Sequence, residues 1–322
     1  MKKRIVFISK SIQSPSTRYR VFDYYPYWQQ AGWEPSHWVA SSNPFVFIKI
    51  LNAARKSDCV VVLRKTFNAL LLFLLRKCSK KLIFDFDDAI FANDDGSPSK
   101  LRDKRFEKMM QMVDEAWGGN VYLVDQAKRW CSQTKVLPTS VEPSIYAHEF
   151  KKPTEFFDVV WIGSRSTRRY LEGILPMMEQ AAKLIPQMRL KVIADFNITS
   201  DRFPIVSIPW SIENETKELI SSHVGIAPLV DNVWTRGKCA LKVVQYMAAG
   251  LPVVSSAVGA NQDLVINNKT GFLVNNPDDW ANSLKQLKEN PSLRESLGSN
   301  ARQHVISNYS LQATFHKMLD GL

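Results

Sequence analysis

Thr235-Arg-Gly-Lys-Cys-Ala-Leu-Lys-Val-Val-Gln-Tyr-Met-Ala-Ala-Gly-Leu-Pro-Val-Val254 contains a glycine, a run of helix formers, a stop and the start of a strand. Leu241, Val244, Met247 and Ala248 recur at helical spacing, and Gly250-Leu-Pro then ends the helix and opens an apolar run. The spacing predicts a helix over 238–249 and a strand over 251–255. In an α/β protein such a helix starts at the C-terminal edge of a parallel sheet, where free backbone N–H groups bind phosphates. Lys238 and Lys242 stand four apart, so a helix through both places them on one face. With Arg236 they would set three cations around a diphosphate. The bland alternative is an exposed basic helix start, which the helix dipole disfavours.

Outward from this segment, short apolar runs alternate with helix-length amphipathic stretches along the whole chain, the pattern of βα units around a mostly parallel sheet. Strands are predicted at Arg4–Ser9, Cys59–Leu63, Lys81–Phe86, Glu115–Gly118 and Lys135–Leu137, with helices at Arg18–Ala31, Pro44–Arg55, Thr66–Cys78, Ser99–Val113 and Val121–Cys131. Lys151-Lys-Pro-Thr154 reads as a linker, giving domains 1–152 and 153–322. The second half reads as strands over 157–162, 189–194, 205–208, 223–227, 251–255 and 272–274. Its helices are expected over 168–184, 213–221, 238–249, 278–288, 291–307 and 310–320, the last packing back on the first domain.

A length of 322 residues suits two domains. With 45% hydrophobic and 23% charged residues the composition is that of a folded globular protein. The apolar run after Met1 is too short for a secretory signal, and Leu70-Leu-Leu-Phe-Leu-Leu75 is far shorter than the roughly 20 residues of a membrane span. Cys59, Cys78, Cys131 and Cys239 lack metal-ligand spacing, so no metal site, no disulfide framework and a cytoplasmic setting are expected. Net charge is +11; residues 1–150 carry 23 basic against 15 acidic residues, and 151–322 carry 19 against 16. That field attracts nucleic acid, anionic membrane or phosphorylated substrates without choosing among them. Lys65, Leu70–Leu75, Arg76, Lys77, Lys80 and Lys81 suit an amphipathic segment on the anionic inner face of a membrane. A core helix with a solvated basic end is the other reading. No nucleic-acid motif accompanies the charge, and nucleic acid is not an expected partner.

Arg236–Gly259, with Tyr246-Met-Ala-Ala-Gly-Leu-Pro-Val-Val-Ser-Ser-Ala-Val-Gly259, resembles the C-domain signature of glycosyltransferase family four. Weaker matches are Ser14-Pro-Ser-Thr-Arg-Tyr-Arg20, Asp85-Phe-Asp-Asp-Ala-Ile-Phe91, Gly163-Ser-Arg-Ser-Thr-Arg-Arg-Tyr170, Ile226-Ala-Pro-Leu229 and Gly271-Phe-Leu-Val274. The resemblance implies a GT-B fold, two Rossmann-like α/β domains with parallel sheets facing across a cleft. It also implies retaining transfer of a sugar from a nucleotide-diphosphate donor to a cell-surface glycan or glycolipid acceptor, without a required cofactor. That family carries a Glu-x7-Glu motif whose first Glu lies near the transferred sugar and whose second binds the ribose. Here Gly237 and Gln245 stand at those positions.

The resemblance assigns Arg165, Lys238 and Lys242 to catalysis. Donor binding falls to Gly163, Ser164, Arg168, Arg169, Arg236, Cys239, Ala240, Leu241 and Gln245. The acceptor side is expected at Ser16, Thr17, Arg18, Arg20, Asp87 and Asp88, with Ser16 or Thr17 also readable as helix caps. Asp85-Phe-Asp-Asp88 allows two further readings, a metal-binding Asp-x-Asp and the nucleophile pair of haloacid-dehalogenase-like phosphatases. The latter pair normally follows a first strand, unlike here. A catalytically silent binding or assembly subunit is the alternative from another class, motivated by Gly237.

Overall fold

The computed structural model describes residues 2–41, 43–148 and 152–322; Met1, Ser42 and 149–151 lie outside them, including Lys151 of the expected linker. The chain divides into two compact units. Unit 1 comprises Met1–Ser140, Asn232–Cys239 and Leu311–Leu322, and unit 2 comprises Val141–Asp231 and Ala240–Ser310. The sequence reading sets the boundary at 152 with the last helix packing back on the first domain; contacts divide the chain after Ser140, return Leu311–Leu322 to unit 1 as expected, and add Asn232–Cys239 to it, which the reading did not foresee.

Unit 1 holds a parallel sheet of β1 (Lys3–Ser9), β2 (Trp33–Val39), β3 (Cys59–Leu63), β4 (Leu82–Phe86), β5 (Glu115–Gly118) and β6 (Thr134–Val136), ordered β2-β1-β3-β4-β5-β6. Every residue of β3, β4 and β5 is buried, as parallel strands covered on both faces require. Strand β2 escaped the sequence reading because Trp33-Glu-Pro-Ser-His-Trp-Val39 mixes polar residues with Pro35. An edge strand tolerates that proline since one side needs no N–H partner. The single helix expected over Arg18–Ala31 is two, Pro15–Arg20 and Tyr25–Gln30, the second opened by Pro26. The C-terminal helix Leu311–Leu319 packs Phe315 edge-on against Trp28, ring centres 4.9 Å apart.

Unit 2 holds β7 (Phe157–Ile162), β8 (Met188–Ala194), β9 (Ile205–Pro209), β10 (Val224–Ala227), β11 (Val253–Ser256) and β12 (Gly271–Val274), all parallel and ordered β12-β11-β10-β7-β8-β9. The helix expected over 168–184 is broken into Arg168–Glu172 and Leu175–Leu184, where Gly173 and Pro176 interrupt it. The one expected over 238–249 is also two. Val233–Arg236 is a short turn capped by Asn232, and Leu241–Ala248 starts afresh after Ala240, whose left-handed backbone (φ 52°) breaks the path.

In each sheet the strand order reverses direction once, between β1 and β3 in unit 1 and between β7 and β10 in unit 2. Loops leaving the carboxyl ends of those strands diverge to opposite faces and leave a crevice, the usual ligand position in open α/β sheets.

Candidate functional site

In unit 1 the loops after β1, β3 and β4 bring Ser16, Arg64, Asp87 and Asp88 to that crevice. Arg64, the residue after β3, has φ 56°, a left-handed conformation uncommon for a non-glycine residue. Its Nη1 donates to Ser16 Oγ at 2.6 Å, its Nε lies 3.2 Å from Asp87 Oδ1, and its Nη2 pairs with Asp88 Oδ2. Ser16 Oγ in turn donates to Asp87 Oδ2 at 2.7 Å. Lys238 Nζ donates to Asp88 Oδ1 at 2.8 Å and lies 4.6 Å from the Trp234 ring centre. The sequence reading brought Ser16, Asp87 and Asp88 to one site and missed Arg64, whose only signal was a basic residue directly after a buried strand.

These neighbours drive the two carboxyls apart. Burial pushes both up; for Asp87 the nearby Arg64 and Arg20 outweigh it and hold the group below the usual carboxylate range. For Asp88, burial prevails over Arg64 and Lys238 and its pKa is raised. The two adjacent carboxyls are thereby shifted in opposite directions, each within an ion pair.

Other expected acceptor-side residues stand elsewhere. Arg20 is 2% exposed, and its guanidinium is bound to both Asp85 carboxylate oxygens and to Leu137 O. It is a structural strut and presents nothing to a ligand, which corrects its reading as an anion binder. The same pair occupies Asp85, so that carboxylate is no phosphatase nucleophile and no metal ligand; among the described residues no His, Cys, Asp or Glu cluster suits a metal. Thr17 is fully buried and ties Ser14, Ser9 and the Ser11 carbonyl together, while Ser14 caps the helix. Arg18 lies 3.9 Å from Asp23 and apart from the cluster.

Asn232–Cys239 is latched onto unit 1 through its backbone. Asn120 Nδ2 donates to the carbonyls of Arg236 and Lys238, each at 3.0 Å, and Cys239 Sγ donates to the Asp87 carbonyl at 3.1 Å. Burial and the Asp87 charge raise the Cys239 thiol well above its ordinary value, so it is an inert packing group rather than a donor ligand. A Cβ on Gly237 would sit 2.7 Å from Ala89 N and Ala89 Cβ. No glutamate fits there, which explains the first departure from the Glu-x7-Glu pattern. The expected common face of Lys238 and Lys242 does not exist, because Lys238 precedes the break at Ala240 and belongs to unit 1, and Lys242 belongs to unit 2. Arg236 is exposed at the end of its short turn in unit 1.

In unit 2 the corresponding crevice is built by the turn after β7 and the helix Leu241–Ala248. Gly163 leaves room for the Trp161 indole, which a Cβ would meet at 2.3 Å. Lys242 Nζ lies 4.3 Å from that ring's centre, a cation–π contact that holds the buried ammonium beside β7. Ser164 and Thr167 form a capping box around a turn that exposes Arg165, Arg168 and Arg169. Arg165 and Arg168 line an open cleft of about 800 Å³ with Asp195, Phe196, Asn197 and Trp210, at the carboxyl ends of β8 and β9. Arg165 N donates to Asp195 Oδ1 at 3.0 Å; Arg168 stacks 5.1 Å from the Phe196 ring centre and pairs with Glu172 at 2.7 Å. Arg169 turns toward Tyr170. Trp210, half-exposed in this cleft, went unnoticed in the sequence.

Gln245 is 3% exposed and donates through Nε2 to Glu215 Oε1 at 2.7 Å. The same buried carboxylate accepts from Tyr146 OH at 3.0 Å and Trp210 Nε1 at 2.8 Å. The Gln245 amide is therefore committed to orienting Glu215 and Trp210, a correction to its reading as a hydroxyl ligand. Ala240 is the left-handed cap of the helix that Leu241 opens.

The family described as "Glycosyl transferases group 1" matches residues 232–304. Over its full length the chain superposes on a glycosyltransferase from Rickettsia africae with a TM-score of 0.76 and 16% identity, covering 99% of this chain and 97% of that one. Its fold is GT-B. Anabaena HepE in complex with UDP and glucose gives a TM-score of 0.72 at 14% identity, with 99% and 100% covered. Spore coat protein SA of Bacillus subtilis is 32% identical over 76 residues, 23% of this chain. That match spans 20% of the relative's length, so the chain corresponds to about a fifth of that protein.

Proposed function

We propose that this protein is a retaining hexosyltransferase that moves a sugar from a nucleotide-diphosphate donor to a cell-surface glycan or glycolipid acceptor, as part of polysaccharide or lipopolysaccharide synthesis. The reading is carried by unit 2, where Lys242 and the Arg165–Arg168 turn flank the carboxyl ends of the central strands beside a cleft holding an exposed indole. Cations fixed there stabilise the charge that develops on a departing diphosphate, and an aromatic surface suits the base. HepE, of the same fold, is seen with UDP and glucose, which makes uridine donors the first to try.

In unit 1 the ionised Asp87 and the cations around it offer fixed hydrogen-bonding partners for acceptor hydroxyls. Transfer with retention breaks the bond from the sugar to the diphosphate and forms the bond to the acceptor on the same face, the leaving phosphate oxygen taking the hydroxyl proton. The protein then positions groups and stabilises charge, and no histidine base is needed.

Thermal-shift screening against UDP-, GDP- and dTDP-sugars should single out one nucleotide, because selective binding to the native state raises the melting temperature. Release of the nucleoside diphosphate with acceptor present then reads turnover. Gly237 favours a second reading, a GT-B binding subunit without activity; selective stabilisation with no release across an acceptor panel would establish it.

A further inference from the structure

The helices Pro44–Arg55 and Ala69–Cys78 of unit 1 pack against each other on one face of the sheet, joined by Phe47 and Phe67 at 6.0 Å between ring centres. Their inner positions, Ile50, Leu51, Leu72 and Leu75 among them, are buried in the core. Their outer positions include large apolar side chains, where solvated helix faces ordinarily carry polar ones. Phe45 is 77% exposed, Leu70 67%, Ile48 53% and Phe73 48%. Spaced three apart on each helix, these four residues form two apolar ridges pointing outward.

The charge along these helices is predominantly basic, although Arg76 pairs with Asp114 and Lys80 with Asp58. Neither helix contains an acidic residue, and residues 40–80 carry eight lysines and arginines against Asp58 alone. Lys49 follows Ile48 on the exposed face, and Lys77 Nζ lies 5.7 Å from the Phe73 ring centre, its stem running along the apolar ridge. Exposed aromatic and aliphatic side chains interleaved with lysines match an interface that is apolar below and negatively charged above, the headgroup layer of an anionic bilayer. A protein partner of ordinary polarity would leave this many like charges unmatched at its rim.

We propose that this two-helix face docks unit 1 onto an anionic lipid bilayer, with Phe45, Ile48, Leu70 and Phe73 entering the interface and the flanking lysines meeting lipid phosphates. No helix among the described residues is long and apolar enough to cross a membrane. The proposal stands apart from glycosyl transfer, since it concerns a surface that shares no residue with the candidate site.

Co-sedimentation of the full chain with vesicles of phosphatidylcholine alone, and with about one-third phosphatidylglycerol, tests it. Binding is expected to the anionic vesicles, falling at least about tenfold when salt is raised to 0.5 M. A Phe45→Ser/Leu70→Ser variant should lose about tenfold or more in partitioning while its thermal melt and its shift with nucleotide stay as in the parent. Lys49→Glu/Lys77→Glu should lose binding to anionic vesicles specifically. Equal partitioning of parent and variants, or a parent that stays in the supernatant at low salt, would overturn the proposal. So would a concentration-dependent dimer that the Phe45→Ser/Leu70→Ser change dissolves while vesicle binding is absent. Because no donor is present, these outcomes leave the transferase reading to its own assay.

Discussion

The two units share a six-stranded parallel sheet and a crevice at the strand-order reversal, yet they furnish it in opposite ways. In unit 1, Arg20, Arg64 and Lys238 face Asp85, Asp87 and Asp88, three cations against three carboxylates, nearly all inside the protein. In unit 2, Lys242 lies over an indole, and Arg165 and Arg168 border an open cleft, both exposed and paired with the exposed Asp195 and Glu172. A balanced buried network fixes orientation and leaves little net field. A cationic excess at an open edge draws anions. Under the proposed function the first arrangement suits hydroxyl recognition and the second suits diphosphate recognition.

Removing a cation should therefore hurt differently on the two sides. Lys242→Ala is expected to lower turnover by about 10²–10³-fold, the range typical of losing one group that stabilises transition-state charge, while the melting curve stays within a degree or two. Unchanged turnover in a correctly folded variant would end the assignment of unit 2 as the donor side. Asp85→Ala should act instead through stability. It strands Arg20 in the core, and breaking a buried pair costs about 3–5 kcal/mol, read as an earlier unit 1 transition in urea. An intact unit 1 transition would mean that Arg20 finds water, and the network is less closed than its geometry.

How much of this was visible beforehand depends on range. Most strands of both sheets were legible because runs such as Cys59–Leu63, wholly apolar, and Phe157–Ile162, broken only by Asp158, stand between glycine or polar punctuation. Strand β2 was not, since its stability comes from pairing along β1 and not from its own composition. At the candidate site, the turn at Gly163–Arg169 and the carboxylates of Asp87 and Asp88 carried local signals. Arg64 did not, because its role rests on a left-handed backbone and on partners 48, 23 and 24 residues away in sequence, Ser16, Asp87 and Asp88. The break at Ala240 misled the helix reading for a related reason. Lys-Cys-Ala-Leu-Lys has ordinary helix propensity, and it is the latch of Lys238 and Cys239 onto Asn120 and Asp87 that pulls the chain off the helical path.

That latch gives the next test. Gly237→Ala adds one methyl against Ala89 and should cost about 1–3 kcal/mol, the usual penalty for overpacking, and Gly237→Glu should cost more. Both substitutions are expected to lower the unit 1 transition and not the unit 2 transition in denaturant. If Gly237→Glu were tolerated with full stability and raised turnover, the segment would be free to move off Ala89, and the steric account of the missing carboxylate would fail.

The smallest expected effect is a difference in how the units answer acid. In unit 2, burial and the repulsion of Arg294 hold His223 down to about 4, and its Nδ1 accepts from the Asp158 backbone N–H at 3.0 Å, which requires the neutral ring. An unfolded histidine titrates near 6.5, so between about 4 and 6.5 the unfolded chain binds the extra proton and unit 2 loses stability as pH falls through that window. In unit 1 the carboxyls offset one another. Asp87, held low, loses its contribution only as pH drops below the ordinary carboxylate range, while the raised Asp85 and Asp88 act with the opposite sign, their folded forms binding protons first. His37, also lowered by burial, adds a contribution of the same sign as His223. Urea melts at pH 7.5 and 5 should therefore shift the unit 2 transition more than the unit 1 transition. His223→Gln keeps an acceptor for the Asp158 N–H and cannot titrate, so it should flatten the slope of unit 2 alone. A slope that survives this substitution would move the pH sensitivity to other groups and erase this part of the contrast between the units.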